Sequence, residues 1–269
     1  MTRPADTYTH GHHESVLRSH RWRTVENSAE YLAPFLAPGM NVLDVGCGPG
    51  SISADLARLV RPGRVLAVDN VAAVVEQAAA EVAGRGTDNI EFAVADAYEL
   101  DLPDDSFDVV HAHQVLQHLS EPVVALAEMR RVCRPQGIVA VRDSDYGAMT
   151  WYPPDPVLQR WLDLYHDIAR GHHAEPDAGR RLHVWARQAG FADVTVSASV
   201  WCFASSMDRH WWGDLWSERV VESAFAKQAV DGGYADSSEL EAIAAAWRRW
   251  ADHDDGWFCV VHGEVLCRG

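Results

Sequence analysis

Three aspartates close short apolar runs: Asp44 in Val42-Leu43-Asp44-Val45, Asp69 in Val65-Leu66-Ala67-Val68-Asp69-Asn70, and Asp96 in Phe92-Ala93-Val94-Ala95-Asp96-Ala97. The first run passes directly into Gly46-Cys47-Gly48-Pro49-Gly50. Glycines at such a turn permit positive φ and let a ligand approach the backbone to contact distance. The spacing is GxGxG and not the GxGxxG of dinucleotide folds, and Pro49 removes an N–H that a pyrophosphate cradle would use. An acidic residue after the second strand of such a unit accepts both hydroxyls of an adenosine ribose. Asp96, at the end of the third, is placed to accept from an adenine amino group. Any one strand-end aspartate is as readily a helix N-cap. Three of them beside a glycine turn favour a ligand crevice.

Histidines are the second set that could do chemistry. His111, His113 and His118 bracket the end of the fourth apolar run, Phe107 to Ala112. Imidazole takes up a proton near neutral pH, so each is a candidate general base, with His118 and His113 ahead of His111. Each is also readable as a packed or capping histidine. His10-Gly11-His12-His13 has no cysteine or carboxylate at ligand spacing to complete a metal site, and no metal is expected.

These residues need an alternating scaffold to position them. Met40 to Val45, Arg64 to Val68, Ile90 to Ala95, Phe107 to Ala112 and Gly137 to Val141 read as strands, continuously apolar as in parallel sheets covered on both faces. Ser51 to Val60, Val71 to Ala83 and Glu121 to Cys133 read as helices between them, the last with Ser120 as N-cap and Pro122 in its first turn. Strand and helix in this alternation predict right-handed crossovers and an α/β fold with a doubly wound, mostly parallel sheet. After Pro153, Pro154 and Pro156 the pattern changes. Helices are expected over 157–170, 178–189, 208–230 and from the capping-box sequence Ser238-Glu239-Leu240-Glu241 onward, with strands over 194–203 and 257–265. The two late strands complete a seven-stranded sheet, and the added helices form a cap. The chain then divides into an N-terminal lid over 1–30, a core over 31–145, and cap helices plus two strands over 146–269.

Composition bounds the partners. The 269 residues carry 23 basic against 39 acidic side chains, a formal net charge of -16. That balance argues against nucleic acid or a polybasic membrane surface as partner, since both need clustered positive charge. Lys227 is the sole lysine, and its Ala-Phe-Ala-Lys-Gln-Ala setting matches neither a P-loop nor a kinase lysine. Five scattered cysteines form no CxxC pair. No apolar run is long enough to span a bilayer and no signal-peptide core opens the chain, so a cytoplasmic protein is expected.

Asp44-Val45-Gly46-Cys47-Gly48-Pro49-Gly50, Asp69, Asp96-Ala97 and Phe107-Asp108-Val109-Val110 leading to Leu116-Gln117-His118-Leu119 resemble the motifs of class I S-adenosylmethionine-dependent methyltransferases. Arg131-Val132-Cys133-Arg134-Pro135-Gln136-Gly137 resembles the helix-to-strand turn of the ubiquinone/menaquinone-biosynthesis and sterol methyltransferase-like branch, which usually has Leu-Lys-Pro-Gly-Gly there. The resemblance covers roughly residues 30–145 and says little about the acceptor. It implies a Rossmann-like methyltransferase fold and S-adenosyl-L-methionine as cofactor, with S-adenosyl-L-homocysteine as product. It implies that Gly46 and Gly48 contact the methionine part, with Asp44 near its amino group, Asp69 and the adjoining Asn70 at the ribose, and Asp96 and Ala97 at the adenine edge. His113 and Gln114 then lie beside the sulfonium end. It further implies a lid contributed by Tyr8, His20 and Arg23, with Arg23 able to pair with the cofactor carboxylate. The edge bearing Asp145 and Tyr146 would face the acceptor, with Trp151, Tyr152 and Trp216 as candidate walls of an aromatic pocket.

The expected activity is methyl transfer to a small, partly apolar organic acceptor by in-line displacement, on oxygen, nitrogen or carbon, with a quinone-like or polyketide-like phenol first by analogy. A homodimer is compatible with the sequence. The alternatives are a nicotinamide-dependent oxidoreductase and a non-catalytic module that binds the same cofactor.

Overall fold

A computed structural model describes residues 6, 8, 9, 11, 13–84 and 86–269. His10 and His12, and with them the histidine cluster considered above, lie outside the described residues.

Seven strands build one sheet: β1 (Val42–Val45), β2 (Val65–Asp69), β3 (Ile90–Val94), β4 (Phe107–His113), β5 (Cys133–Tyr152), β6 (Asp193–Phe203) and β7 (Trp257–Arg268). Their spatial order is β3-β2-β1-β4-β5-β7-β6. β1 to β5 pair in parallel, while β7 runs antiparallel between β5 and β6. The order reverses between β1 and β4, so the loops leaving their carboxyl ends diverge and leave a crevice between them.

The reason the first strands sit inside is visible residue by residue. Side chains alternate across a sheet. Leu43 and Val45 pack with Val110, Leu126 and Met129 on one face, and Val42 packs with Leu56, Val60 and Val109 on the other. Both faces are therefore covered by helices: α3 (Ser51–Val60) on the second face and α5 (Pro122–Val132) on the first. α4 (Ala72–Ala83) packs along β2 and β3.

Two short N-terminal helices, α1 (Glu14–Arg21) and α2 (Val25–Ser28), precede the sheet. The remaining helices are α6 (Pro156–Gly171), α7 (Leu182–Gln188), α8 (Ser206–Glu222), α9 (Ala224–Asp231) and α10 (Ser237–Asp252). α6, α8, α9 and α10 form a second core around Trp161, Trp216, Trp247 and Phe258. α1 is strapped across this cap and the first half of the chain. Arg18 pairs with Glu218 at 2.7 Å, Arg21 with Glu81 at 3.0 Å, and Arg219 donates to the Ser15 carbonyl at 3.1 Å.

Several local expectations need correction. Ser120 does not cap α5: Glu121 holds the N-cap position without a side-chain bond, while Pro122 occupies the first turn as expected. Asp236, and not Ser238, caps α10, accepting from the Glu239 N–H. The helix expected over 178–189 is a 3-10 turn over Ala178–Arg181 followed by α7. The single helix expected over 208–230 breaks at Ser223, whose hydroxyl accepts from the Phe225 N–H and starts α9 anew. β5 continues to Tyr152, so a boundary at residue 145 falls inside a strand.

Candidate functional site

A cavity of about 760 Å³ opens at the carboxyl ends of β1, β2, β3 and β4. Asp44, Gly46, Gly48, Asp69, Asn70, Asp96, Ala97, His113, Gln114 and Arg23 all line it, as do Tyr8, His20 and His118. Residues up to 113 positions apart in the first half of the chain are thus brought to one edge by four parallel strands and the strap that precedes them.

The glycine turn is shaped by positive backbone angles: φ is +69° at Gly46, +53° at Gly48 and +76° at Gly50. A Cβ on Gly46 would come within 2.4 Å of Val115 Cγ2, so this position is closed by packing as well as by φ. A Cβ on Gly48 would have His20 Nδ1 at 3.8 Å as its nearest neighbour, which leaves that stretch of backbone open to a ligand. Gly50 then opens α3 in the left-handed conformation.

The three aspartates are held differently. Asp44 is buried, accepting from Ser53 Oγ on one oxygen and from His111 Nδ1 at 2.8 Å on the other. The β1–β4 register sets Asp44 beside His111, so His111 orients Asp44 and does not line the cavity. Asp69 accepts from the N–H groups of Gly48 (3.2 Å) and Val71 (3.1 Å), which fixes its carboxylate across the mouth of the glycine turn. Asp96 accepts from the Tyr98 N–H at 2.9 Å. An ionised carboxylate offers about four lone-pair sites, so each of the three is able to accept from more than one donor.

At the other end the lining is aromatic and imidazole-bearing. Tyr8 contacts His20 Nε2 through its hydroxyl at 3.2 Å and meets the His118 ring edge-on at 4.7 Å. Burial drives the Tyr8 phenol up to about 12. Burial, with Arg23 nearby, pulls His118 down to about 3, and burial with Arg23 and Arg142 pulls His113 well below the usual imidazole range. Both rings are therefore neutral. They differ in what their nitrogens do. Gln117 accepts from Ser144 through Oε1, so its Nε2 is the atom facing His118 Nε2 at 3.0 Å and occupies that lone pair. His113 is buried, and neither ring nitrogen has a hydrogen-bond partner among the described residues.

The five candidate acceptor contacts sit elsewhere. Asp145 is paired bidentately with Arg180. Tyr146 is buried and stacked on Tyr165 at 3.8 Å. Trp151 stacks on Phe258, and Tyr152 is exposed at the end of β5. Trp216 is buried between Trp161 and Trp247. None lines the cavity: β5 runs on to Tyr152 and carries Tyr146 and Trp151 to the cap core, where Trp216 on α8 also packs. Residues that the sequence did not single out complete the inner wall instead: Leu17, Tyr98, Val115 and Leu119. His262 and Trp201 stand behind it, with Trp201 5.8 Å from His113. Only the pairing of β6 and β7 with β5 brings these two close, which no local motif signals.

These features suit S-adenosylmethionine. The glycine turn offers open backbone, Asp69 a charged acceptor for ribose hydroxyls, Asp96 an acceptor at the adenine edge, and Arg23 a guanidinium for a carboxylate. Among the described residues, no group of three or more His, Cys, Asp or Glu side chains could hold a metal ion.

Residues 36–200 match a family model described as a methyltransferase domain. Along 99% of its length the chain is 32% identical to an uncharacterized methyltransferase of Schizosaccharomyces pombe, covering 98% of that protein. It is 31% identical to a demethylmenaquinone methyltransferase of Clavibacter sepedonicus, over 67% of this chain and 75% of the relative. Among solved structures, the YcgJ protein from Bacillus subtilis superposes with a TM-score of 0.57 at 18% identity, covering 89% of this chain and 97% of that one.

Proposed function

The chain belongs to the methyltransferase-domain family and is an S-adenosylmethionine-dependent methyltransferase, and we propose that its acceptor is a small, partly apolar molecule bearing an ionisable hydroxyl. The observation that carries this reading is His113, a buried neutral imidazole on the cavity wall with both ring nitrogens unpartnered among the described residues. A buried polar group without a partner is costly, and a ligand hydroxyl in the cavity would satisfy it.

The cofactor supplies a methyl group already activated on a sulfonium. Asp69 holds the ribose side of the cavity, Asp96 the adenine side and Arg23 the carboxylate. His113, neutral through burial, accepts the hydroxyl proton of the acceptor as its oxygen becomes the nucleophile. Tyr8, His20 and His118, arrayed around the same end, exclude water and fix the acceptor's orientation. His118 is the weaker base of the two, because its facing lone pair is committed to Gln117. The relative from Clavibacter, named for a quinone, supports a partly apolar, ring-bearing acceptor.

A screen for S-adenosylhomocysteine release over phenols, hydroquinones, amines and keto acids tests this reading. It predicts turnover with phenols or hydroquinones; amines as the only turned-over class would overturn it. With the best acceptor, His113→Ala is expected to lower kcat about 10²- to 10⁴-fold, with cofactor affinity little changed, and His118→Ala to act less. Because the pKa of His113 is held below the usual value, the acid limb of the wild-type rate profile is expected below pH 6.5.

A further inference from the structure

Arg23, Gln114 and His262 form a chain of side chains that runs from the N-terminal strap, through the end of β4, into the last strand. Arg23 NH2 lies 2.6 Å from Gln114 Oε1, and Gln114 Nε2 lies 2.9 Å from His262 Nε2. A guanidinium can only donate, so the Gln114 atom facing Arg23 must be the carbonyl oxygen. The amide nitrogen is then committed to His262, whose Nε2 must accept and whose proton must sit on Nδ1. Three hydrogen-bonding choices are thereby fixed by one arginine.

Gln114 is also held by its backbone. Its φ is +54°, a conformation sparsely populated for a non-glycine residue, and its N–H donates to the Arg142 carbonyl at 2.7 Å. The side chain is thus presented from a fixed point. His262 is fully buried, edge-on to Trp201 at 4.4 Å, and the Arg23 guanidinium stands 5.7 Å over the Trp201 ring. Arg23 forms no ion pair with a carboxylate among the described residues. What steers it is the Gln114 amide and the indole face.

We propose that His262 is a positioning residue for the cofactor's amino-acid arm: by accepting from Gln114 it keeps the amide oxygen turned to Arg23 and so aims the guanidinium at the cofactor carboxylate. The proposal rests on the reading that Arg23 binds that carboxylate. Without an acceptor at 262, the Gln114 amide loses the interaction that fixes its orientation, and Arg23 loses its hydrogen-bonded guide. The antiparallel edge of the sheet, which contributes no lining residue to the cavity, then takes part in binding from behind.

The test compares two ligands by calorimetry: S-adenosylhomocysteine, and 5′-methylthioadenosine, which keeps the adenosine and thioether but lacks the amino-acid arm. His262→Phe retains a ring and removes the acceptor; it is expected to weaken S-adenosylhomocysteine about tenfold while leaving methylthioadenosine unchanged. His262→Gln, which restores an acceptor at similar reach, is expected to recover most of the loss. His262→Leu, which removes the acceptor within a smaller volume, runs in parallel and is read the same way, so that a poorly fitting phenyl ring does not decide the outcome. Arg23→Gln separates the two layers of the argument. If it weakens only S-adenosylhomocysteine while both acceptor-free variants at 262 leave the ratio of the two affinities unchanged, the positioning role is wrong and the Arg23 reading stands. If Arg23→Gln weakens both ligands equally or neither, the Arg23 reading itself fails.

Discussion

A Cβ at Gly46 would meet Val115 and would have to adopt a φ of +69°. Gly46→Ala is therefore expected to cost about 1–2 kcal/mol of stability from the backbone conformation alone, read as a lower chemical-denaturation midpoint with loss of cofactor affinity. Asp143 on β5 is fully buried, accepting from the Gln117 N–H at 3.1 Å. Burial raises its pKa from 3.8 to about 7. The folded state thus holds a proton that the unfolded state has released, so this group's contribution to stability falls as pH rises from about 4 through 7. Asp143→Asn keeps an oxygen to accept from Gln117 and removes the titration; denaturation at pH 5 and pH 8 is expected to differ less in the variant than in the wild type. At this scale the sequence was legible wherever a residue type has one backbone reason to be there, as with the glycines and strand-end aspartates. It was illegible for partners set by register: nothing local to Asp44 announces that His111 will orient it, or that Gln117 will occupy the His118 lone pair.

Elements were legible where periodicity and burial agree. β1 to β4 and helices α3 to α6 follow from apolar runs and three- to four-residue spacing. The errors occurred where two local signals compete. Ser223 interrupts a helical pattern with its own cap, and β5 runs through Asp145 and Tyr146 because pairing with β7 resumes at Thr150 after a register shift. That extension sets Trp151 against the cap's core, while Tyr152 at its end stays exposed. Trp216 lies within 4.6 Å of Trp161 and 5.9 Å of Trp247, ring centre to ring centre. Trp216→Ala is accordingly expected to cost about 3–5 kcal/mol of stability. Trp216→Phe, in an enzyme that remains folded, is expected to leave the KM for the acceptor unchanged; a selective rise in that KM would return Trp216 to the acceptor pocket.

Over the whole molecule, the first half of the chain supplies the cavity-lining edge and the second half covers and steadies it. α1 crosses the cavity, tied to the cap by Arg18–Glu218 and to α4 by Arg21–Glu81. β7 pairs with β5 and β6 with β7, which places Trp201 and His262 behind Arg23 and Gln114. The expectation of a doubly wound sheet with a capping helical half describes this molecule, since hydrophobic pattern and crossover handedness leave few alternatives. The cavity's lining was harder to read, because it is assembled from several stretches of chain far apart in sequence. The central proposal is that the cavity between Asp69 and Asp96 receives the adenosine of S-adenosylmethionine. Isothermal titration of S-adenosylmethionine into the wild type and Asp69→Ala tests it most directly. Loss of a charge-assisted contact to the ribose predicts binding weaker by about 1.5–3 kcal/mol in the variant; equal affinity in the two proteins would contradict it.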